Sequence, residues 1–145
     1  MLVSQILKSK ADDAVVTVSP SMLISQAAQM LSEKRIGALL ISSDGGKTAQ
    51  GILSERDIVR ELGKQGAGCL DKRVEELMTT KLITCGREDR ADAILQQMTD
   101  GRFRHMPVVK DGTLIGLISL GDVVKARLSE LSMEKEALQG MIMGH

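Results

Sequence analysis

Two serine–aspartate pairs at matching spacing, Ser54-x-x-Asp57 and Ser119-x-x-Asp122, are the residues best suited to chemistry in this chain. Each follows a glycine and two apolar residues, where a short strand should run straight into a helix. Serine as N-cap with an acidic residue three positions on is a capping box, and a single copy needs no other explanation. The same geometry also suits a ligand. A helix N-terminus offers unpaired N–H groups to a phosphate, and a carboxylate beside it accepts hydrogen bonds from a ribose diol. Thr17 and Thr84 add a third recurring polar position, in an upstream β-type run. Recurrence of all three favours a pair of sites, although a duplication copies caps as faithfully as sites.

The elements that position these residues also repeat. Val15-Val16-Thr17-Val18 lies over Leu82-Ile83-Thr84-Cys85 at an offset of 67 (84 − 17). The same offset sets Ile24, Ala27, Ala28 and Leu31 on Ala91, Ile94, Leu95 and Met98, both at the i, i+3, i+4, i+7 spacing of an amphipathic helix. Leu39-Leu40-Ile41 then matches Met106-Pro107-Val108. A turn follows each run, Ser42 to Gly46 in one copy and Lys110-Asp111-Gly112 in the other. Each copy is therefore expected to read strand, helix, strand, strand, helix. Val3 to Lys10 and Val74 to Lys81 form matching leader segments, and glycines between Gly63 and Gly68 mark a linker. About 60 residues make a small core, so the copies should pack on each other with pseudo-twofold symmetry.

This pattern resembles the CBS domain pair, or Bateman module, named from cystathionine β-synthase and also found in IMP dehydrogenase. The residues that carry the resemblance are Gly51 to Asp57, Gly116 to Asp122, Val15 to Pro20 and Phe103 to Val109, and it spans about residues 3 to 130. It implies an α/β fold of two tandem β-α-β-β-α repeats, at 1–65 and 66–130; a C-terminal helical extension at 131–145 is expected beyond the resemblance. It also implies clefts between the repeats that bind adenosyl ligands: AMP first, with ADP, ATP, NAD(H) or S-adenosylmethionine as alternatives. By position, Asp57 and Asp122 would hold ribose hydroxyls, Thr17 and Thr84 would lie near ribose and base, and Ser54 and Ser119 near the phosphate. Ile36-Gly37-Ala38 and His105-Met106-Pro107 would supply apolar walls and backbone hydrogen bonds for adenine. Arg56 beside one aspartate, and Arg104 with His105 in the other copy, should make the two sites unequal, because arginine donates paired hydrogen bonds to phosphate.

Other readings are narrower. The 19 basic and 19 acidic side chains cancel, and Phe103 is the sole aromatic residue, which argues against a nucleic-acid partner. Cys69, Cys85, His105 and His145 lack metal-ligand spacing, so no metal is expected. Gly46-Lys47-Thr48 lacks the first glycine of a phosphate-binding loop, which would fall on Ile41. No nucleophile and base are paired, so the protein is expected not to be an enzyme. No leader or membrane span is visible, which points to the cytoplasm. Leu128, Leu131, Lys135 and Leu138 stripe a C-terminal helix that Gly140 should end, and the resemblance implies a homodimer that this helix could reinforce. The expected role is a regulatory sensor read by an unidentified protein target. The competing reading is an interaction protein whose clefts are vestigial.

Overall fold

The structure, a computed structural model, describes residues 1–10 and 15–142. In the first repeat the short strand β1 (Thr17–Val18) leads to helix α2 (Ile24–Lys34), strands β2 (Ala38–Ile41) and β3 (Gly51–Ser54), and helix α3 (Glu55–Gln65). The helix α2 buries Ile24, Ala27 and Leu31 and stops at Arg35, whose left-handed backbone (φ 53°) turns its N–H back to the carbonyls of Leu31 and Ser32. All four residues of β2 are buried, as expected of a central strand covered on both faces. It pairs in parallel with β1 and antiparallel with β3.

Register decides which side chains share a face. Val18 lies opposite Ile41, and Leu39 opposite Leu53. These four pack with Ile24, Ala27, Leu31, Ile58 and Val74 as the first repeat's core. Because successive strand residues alternate, Thr17, Ala38, Leu40, Ile52 and Ser54 fall on the other face. The outer edge of β3 is covered by Thr79, which exchanges two backbone hydrogen bonds with Ile52. The turn between β2 and β3 is held by Asp44, which accepts from Ser42 Oγ (2.7 Å), Thr48 N and Thr48 Oγ1. These bonds hold the Asp44 carboxyl well below the ordinary carboxylate range.

The second repeat contains helix α5 (Ala91–Gly101), strands β4 (His105–Lys110) and β5 (Thr113–Ser119), and helix α6 (Leu120–Ile142). Its hairpin turns through Asp111 and Gly112, both at positive φ, which suits a tight two-residue loop. The helix α5 ends on Arg102 (φ 55°), which stands 67 residues after Arg35 and repeats its cap.

Three expectations are corrected. The strand expected at 82–85 shrinks to a single parallel bridge between Cys85 and Val108. In the first repeat Leu40 N–H donates to Val16 O; the equivalent donor here is Pro107, which has no N–H, so the ladder cannot extend to Ile83. The expected linker at Gly63 to Gly68 is not a loop, since α3 runs through Gln65 and a 3₁₀ helix covers Gly66–Asp71. Gly140 does not end the last helix, which continues to Ile142; residues 143–145, His145 among them, lie outside the described residues.

The leader segments cross over. Helix α1 (Val3–Ser9) belongs to a compact unit made of Met1–Asp13, Thr84–Lys110 and Gly116–His145. Helix α4 (Val74–Leu77) belongs to the other, made of Ala14–Ile83 and Asp111–Ile115. The repeats expected at 1–65 and 66–130, and the extension expected at 131–145, are divisions of the sequence, whereas the compact units divide the chain differently. This arrangement explains the recurring glycines. A Cβ at Gly51 would stand 2.5 Å from Met78 Sδ and 3.1 Å from the Thr79 carbonyl, and one at Gly116 would stand 2.8 Å from Leu7 Cδ2. Each glycine makes room for the leader segment packed on its strand. Gly51→Ala, which meets backbone as well as side chain, is expected to cost about 1–3 kcal/mol, and Gly116→Ala less, because Leu7 can rotate away. Thermal denaturation of the two variants checks the order.

Candidate functional site

Helix α3 begins directly after β3, with the strand's last residue, Ser54, as its N-cap, so one turn must satisfy four amides that have no partner within the helix. Ser54 N–H donates to Asp57 Oδ2 (2.9 Å), and Asp57 N–H to Ser54 Oγ (3.3 Å). Glu55 N–H reaches the carbonyl of Gly37 (3.0 Å). These bonds cover the N-cap, first and third positions and leave over the amide of Arg56. Asp57 is itself well occupied: Oδ2 also accepts from Ser54 Oγ, and Oδ1 accepts from Arg60 (3.0 Å), whose side chain is 57% exposed. Thr17, Ala38 and Ser54 share the face opposite the core, with Ile36 and Gly37 half-buried just before β2. The turn carrying Gly46 (φ 92°) approaches Thr17, since a Cβ there would lie 3.4 Å from Thr17 Oγ1.

The second junction repeats the box. Ser119 N–H donates to Asp122 Oδ2 (2.8 Å), Asp122 N–H to Ser119 Oγ (3.1 Å), and Leu120 N–H to the carbonyl of Arg104 (2.7 Å). The amide left over belongs to Gly121. The carboxylate has a different companion: Lys10 Nζ lies 3.0 Å from Asp122 Oδ2 and donates to the Leu117 carbonyl (2.8 Å). Partial burial raises the Asp122 pKa, but the hydrogen bonds from Ser119 and the Lys10 charge outweigh it, so the net shift is downward. His105 is half-buried, whereas Met106 and Pro107 are buried, so His105 offers more of the open surface at this junction. Thr84, lacking a strand, is exposed.

Each set of expected residues therefore falls within one compact unit: Thr17, Ile36, Gly37, Ala38, Ser54, Arg56 and Asp57 in one, and Thr84, Arg104, His105, Met106, Pro107, Ser119 and Asp122 in the other. Arg56 and Arg104 are exposed and make no ion pair among the described residues. An open depression of 440 Å³ lies against the first turns of α3, lined by Glu55, Arg56, Val59 and Arg60.

Duplicated strand-to-helix junctions of this design are where comparison with known proteins is informative. The model of the CBS domain matches residues 3–64 and again 74–129. The chain belongs to the CBS domain family. A mitochondrial CBS domain-containing protein of Arabidopsis thaliana is 35% identical, over 98% of this chain and 72% of its own length. Among solved structures, a CBS-domain-containing protein of Agrobacterium tumefaciens is 41% identical, with a TM-score of 0.83 over 88% of this chain and 99% of that one. A CBS domain protein of Pyrobaculum aerophilum, in complex with AMP, is 26% identical, with a TM-score of 0.77 over 92% and 99% of the two chains.

Sequence reasoning missed Lys10 and Arg60 as partners of the two aspartates. Lys10 had a signal, because the leader segments align it with Lys81, but nothing local shows that it turns toward Asp122. Cys85 is buried; burial first and the Asp89 charge second push its thiol up to about 12, far from a nucleophile. Because the folded Asp122 pKa lies below the ordinary 3.8, its contribution to stability is complete above that value and lost as pH falls through the folded pKa. Lys10→Met is therefore expected to raise the Asp122 pKa in a carboxyl NMR titration. It should also destabilise the protein near pH 6, lose the part of that effect due to the Asp122 charge once Asp122 is protonated in both proteins, and keep the part due to the Leu117 carbonyl.

Proposed function

We propose that this CBS protein is a non-catalytic sensor in which each strand-to-helix junction takes one adenine nucleotide, AMP first and ATP or NAD(H) as alternatives. The observation that carries the reading is the duplicated Ser–Asp box, which leaves one amide over at each helix start. Beside each lies an arginine without an ion pair among the described residues, Arg56 or Arg104. The leftover amide and the guanidinium suit a phosphate, and the carboxylate suits a ribose diol. AMP in the Pyrobaculum aerophilum relative supports the ligand class.

The two junctions should differ in affinity. Asp57 must release Arg60 from Oδ1 before a diol can use that oxygen, whereas Lys10 engages Asp122 on Oδ2 and, among the described residues, is its only partner besides Ser119. The Asp122 junction therefore needs less rearrangement to free a carboxylate oxygen for the diol. Signalling would follow if nucleotide binds one conformation of a homodimer better than another, with an unidentified target protein reading the change. Its place of action in this reading is the cytoplasm, which fractionation against a mitochondrial marker tests.

Calorimetric titration with AMP, ATP and NADH is the experiment. Asp122→Ala is expected to weaken the tighter step, and Asp57→Ala the weaker, each by roughly 10-fold or more, the worth of hydrogen bonds to a charged group. Each alanine also removes a helix cap, so Asp57→Asn and Asp122→Asn, which keep a capping oxygen, separate lost binding from a frayed helix. Unchanged affinity in both asparagine and both alanine variants would remove these carboxylates from the site. No heat with any nucleotide would favour the interaction-protein reading.

A further inference from the structure

The first half of α6 buries Val123 and Ala126 against its own unit, while the other side of the helix stays uncovered to its end. Besides Met133 and Met141, the large apolar residues exposed on the helix are Val124, Leu128, Leu131, Leu138 and Ile142, between 39% and 85% exposed. With Lys135 they fall at spacings of 4, 3, 4, 3 and 4, the a and d positions of a heptad repeat, with leucines at two of the three d positions. The stripe spans 19 residues (142 − 124 + 1), about 28 Å of helix. Two features say what covers it. The stripe occupies two positions in seven, with Met141 beside it at position g and Met133 off it at position f, as fits a coiled-coil seam; a membrane surface would call for a broader apolar face without Glu134-Lys135-Glu136 in its middle. The one charged seam residue is also self-complementary. In a parallel in-register pair, Lys135 at position a lies beside Glu134 at position g of the second copy, so the pair neutralises itself twice. An antiparallel pair that overlaps the same residues sets Glu134 against Glu134.

We propose that residues 124–142 form a parallel two-stranded coiled coil with a second copy of this chain, with Lys135 fixing the register. This names the contact for the homodimer of the reading above and does not depend on nucleotide binding. A helix whose last 12 residues are almost entirely exposed, with Gly140 among them, is marginal alone and gains its support from the partner helix.

Sedimentation of the full-length chain without nucleotide, combined with cysteine cross-linking, tests the contact. The wild type is expected to dimerise, and Leu131→Glu with Leu138→Glu to weaken the dimer by about 100-fold or more, because two pairs of like charges then face each other in the seam. Lys135→Leu is expected to tighten association, and Lys135→Glu to weaken it. Oxidation should link Leu138→Cys to itself across the seam but not Met133→Cys on the far side of the helix, and the buried Cys69 and Cys85 leave the background low. A dimer that ignores the glutamates and does not cross-link at 138 would place the interface elsewhere and overturn the coiled coil while leaving the homodimer standing. A monomer at all concentrations would overturn both. Neither result touches the nucleotide titration.

Discussion

A helix that starts on the last residue of a strand must satisfy several amides within one turn while the strand is still held in its sheet. Both such junctions in this chain meet that demand alike. Serine and aspartate cap each other, and the carbonyl before the neighbouring strand, from Gly37 or Arg104, accepts from the first helical residue. That last contact ties the junction to the preceding strand, so the helix start cannot move without disturbing the sheet. The glycine three residues upstream is part of the same constraint, since it admits the leader segment against the strand. Fold and candidate site are thus built from one set of atoms.

The duplication is exact in the caps and inexact in what surrounds them. Arg60 comes from within α3 and is largely exposed, so it can leave Asp57 at little cost. Lys10 comes from far along the chain, is mostly covered, and also donates to the Leu117 carbonyl. An anionic ligand would therefore meet a mobile guanidinium at one junction and a fixed ammonium at the other. If both junctions take nucleotide, this difference is a physical basis for filling them over different concentration ranges.

Much of this was legible in the sequence because a repeat supplies its own control. The helices α2 and α5, the capping boxes and the crowded strand β2 follow from spacing and apolar pattern. The lost strand at 82–85 was legible in principle: the alignment already placed Pro107 under Leu40, and a missing N–H at that position forfeits a ladder bond. Gly63 and Gly140 misled because glycine lowers helix stability by only about 1 kcal/mol, which neighbouring turns outweigh. The crossing of the leader segments, and with it the Lys10–Asp122 pair, was not legible, because no local pattern says which repeat a short helix joins. The coiled-coil stripe was visible only in part, since Val124 belongs to it only once Val123 and Ala126 are known to be the buried side.

Nucleotide bound at the helix starts, as proposed, would lie against the amides that the caps leave over. Amide NMR during an AMP titration tests this most directly. The Arg56 and Gly121 resonances are expected to move most, together with Ser54 and Ser119, and the Gly121 group to saturate first. Shifts confined to other surfaces, such as the depression lined by Leu2, Ser4, Gly86 to Asp89, Val109 and Lys110, with Arg56 and Gly121 unmoved, would contradict it.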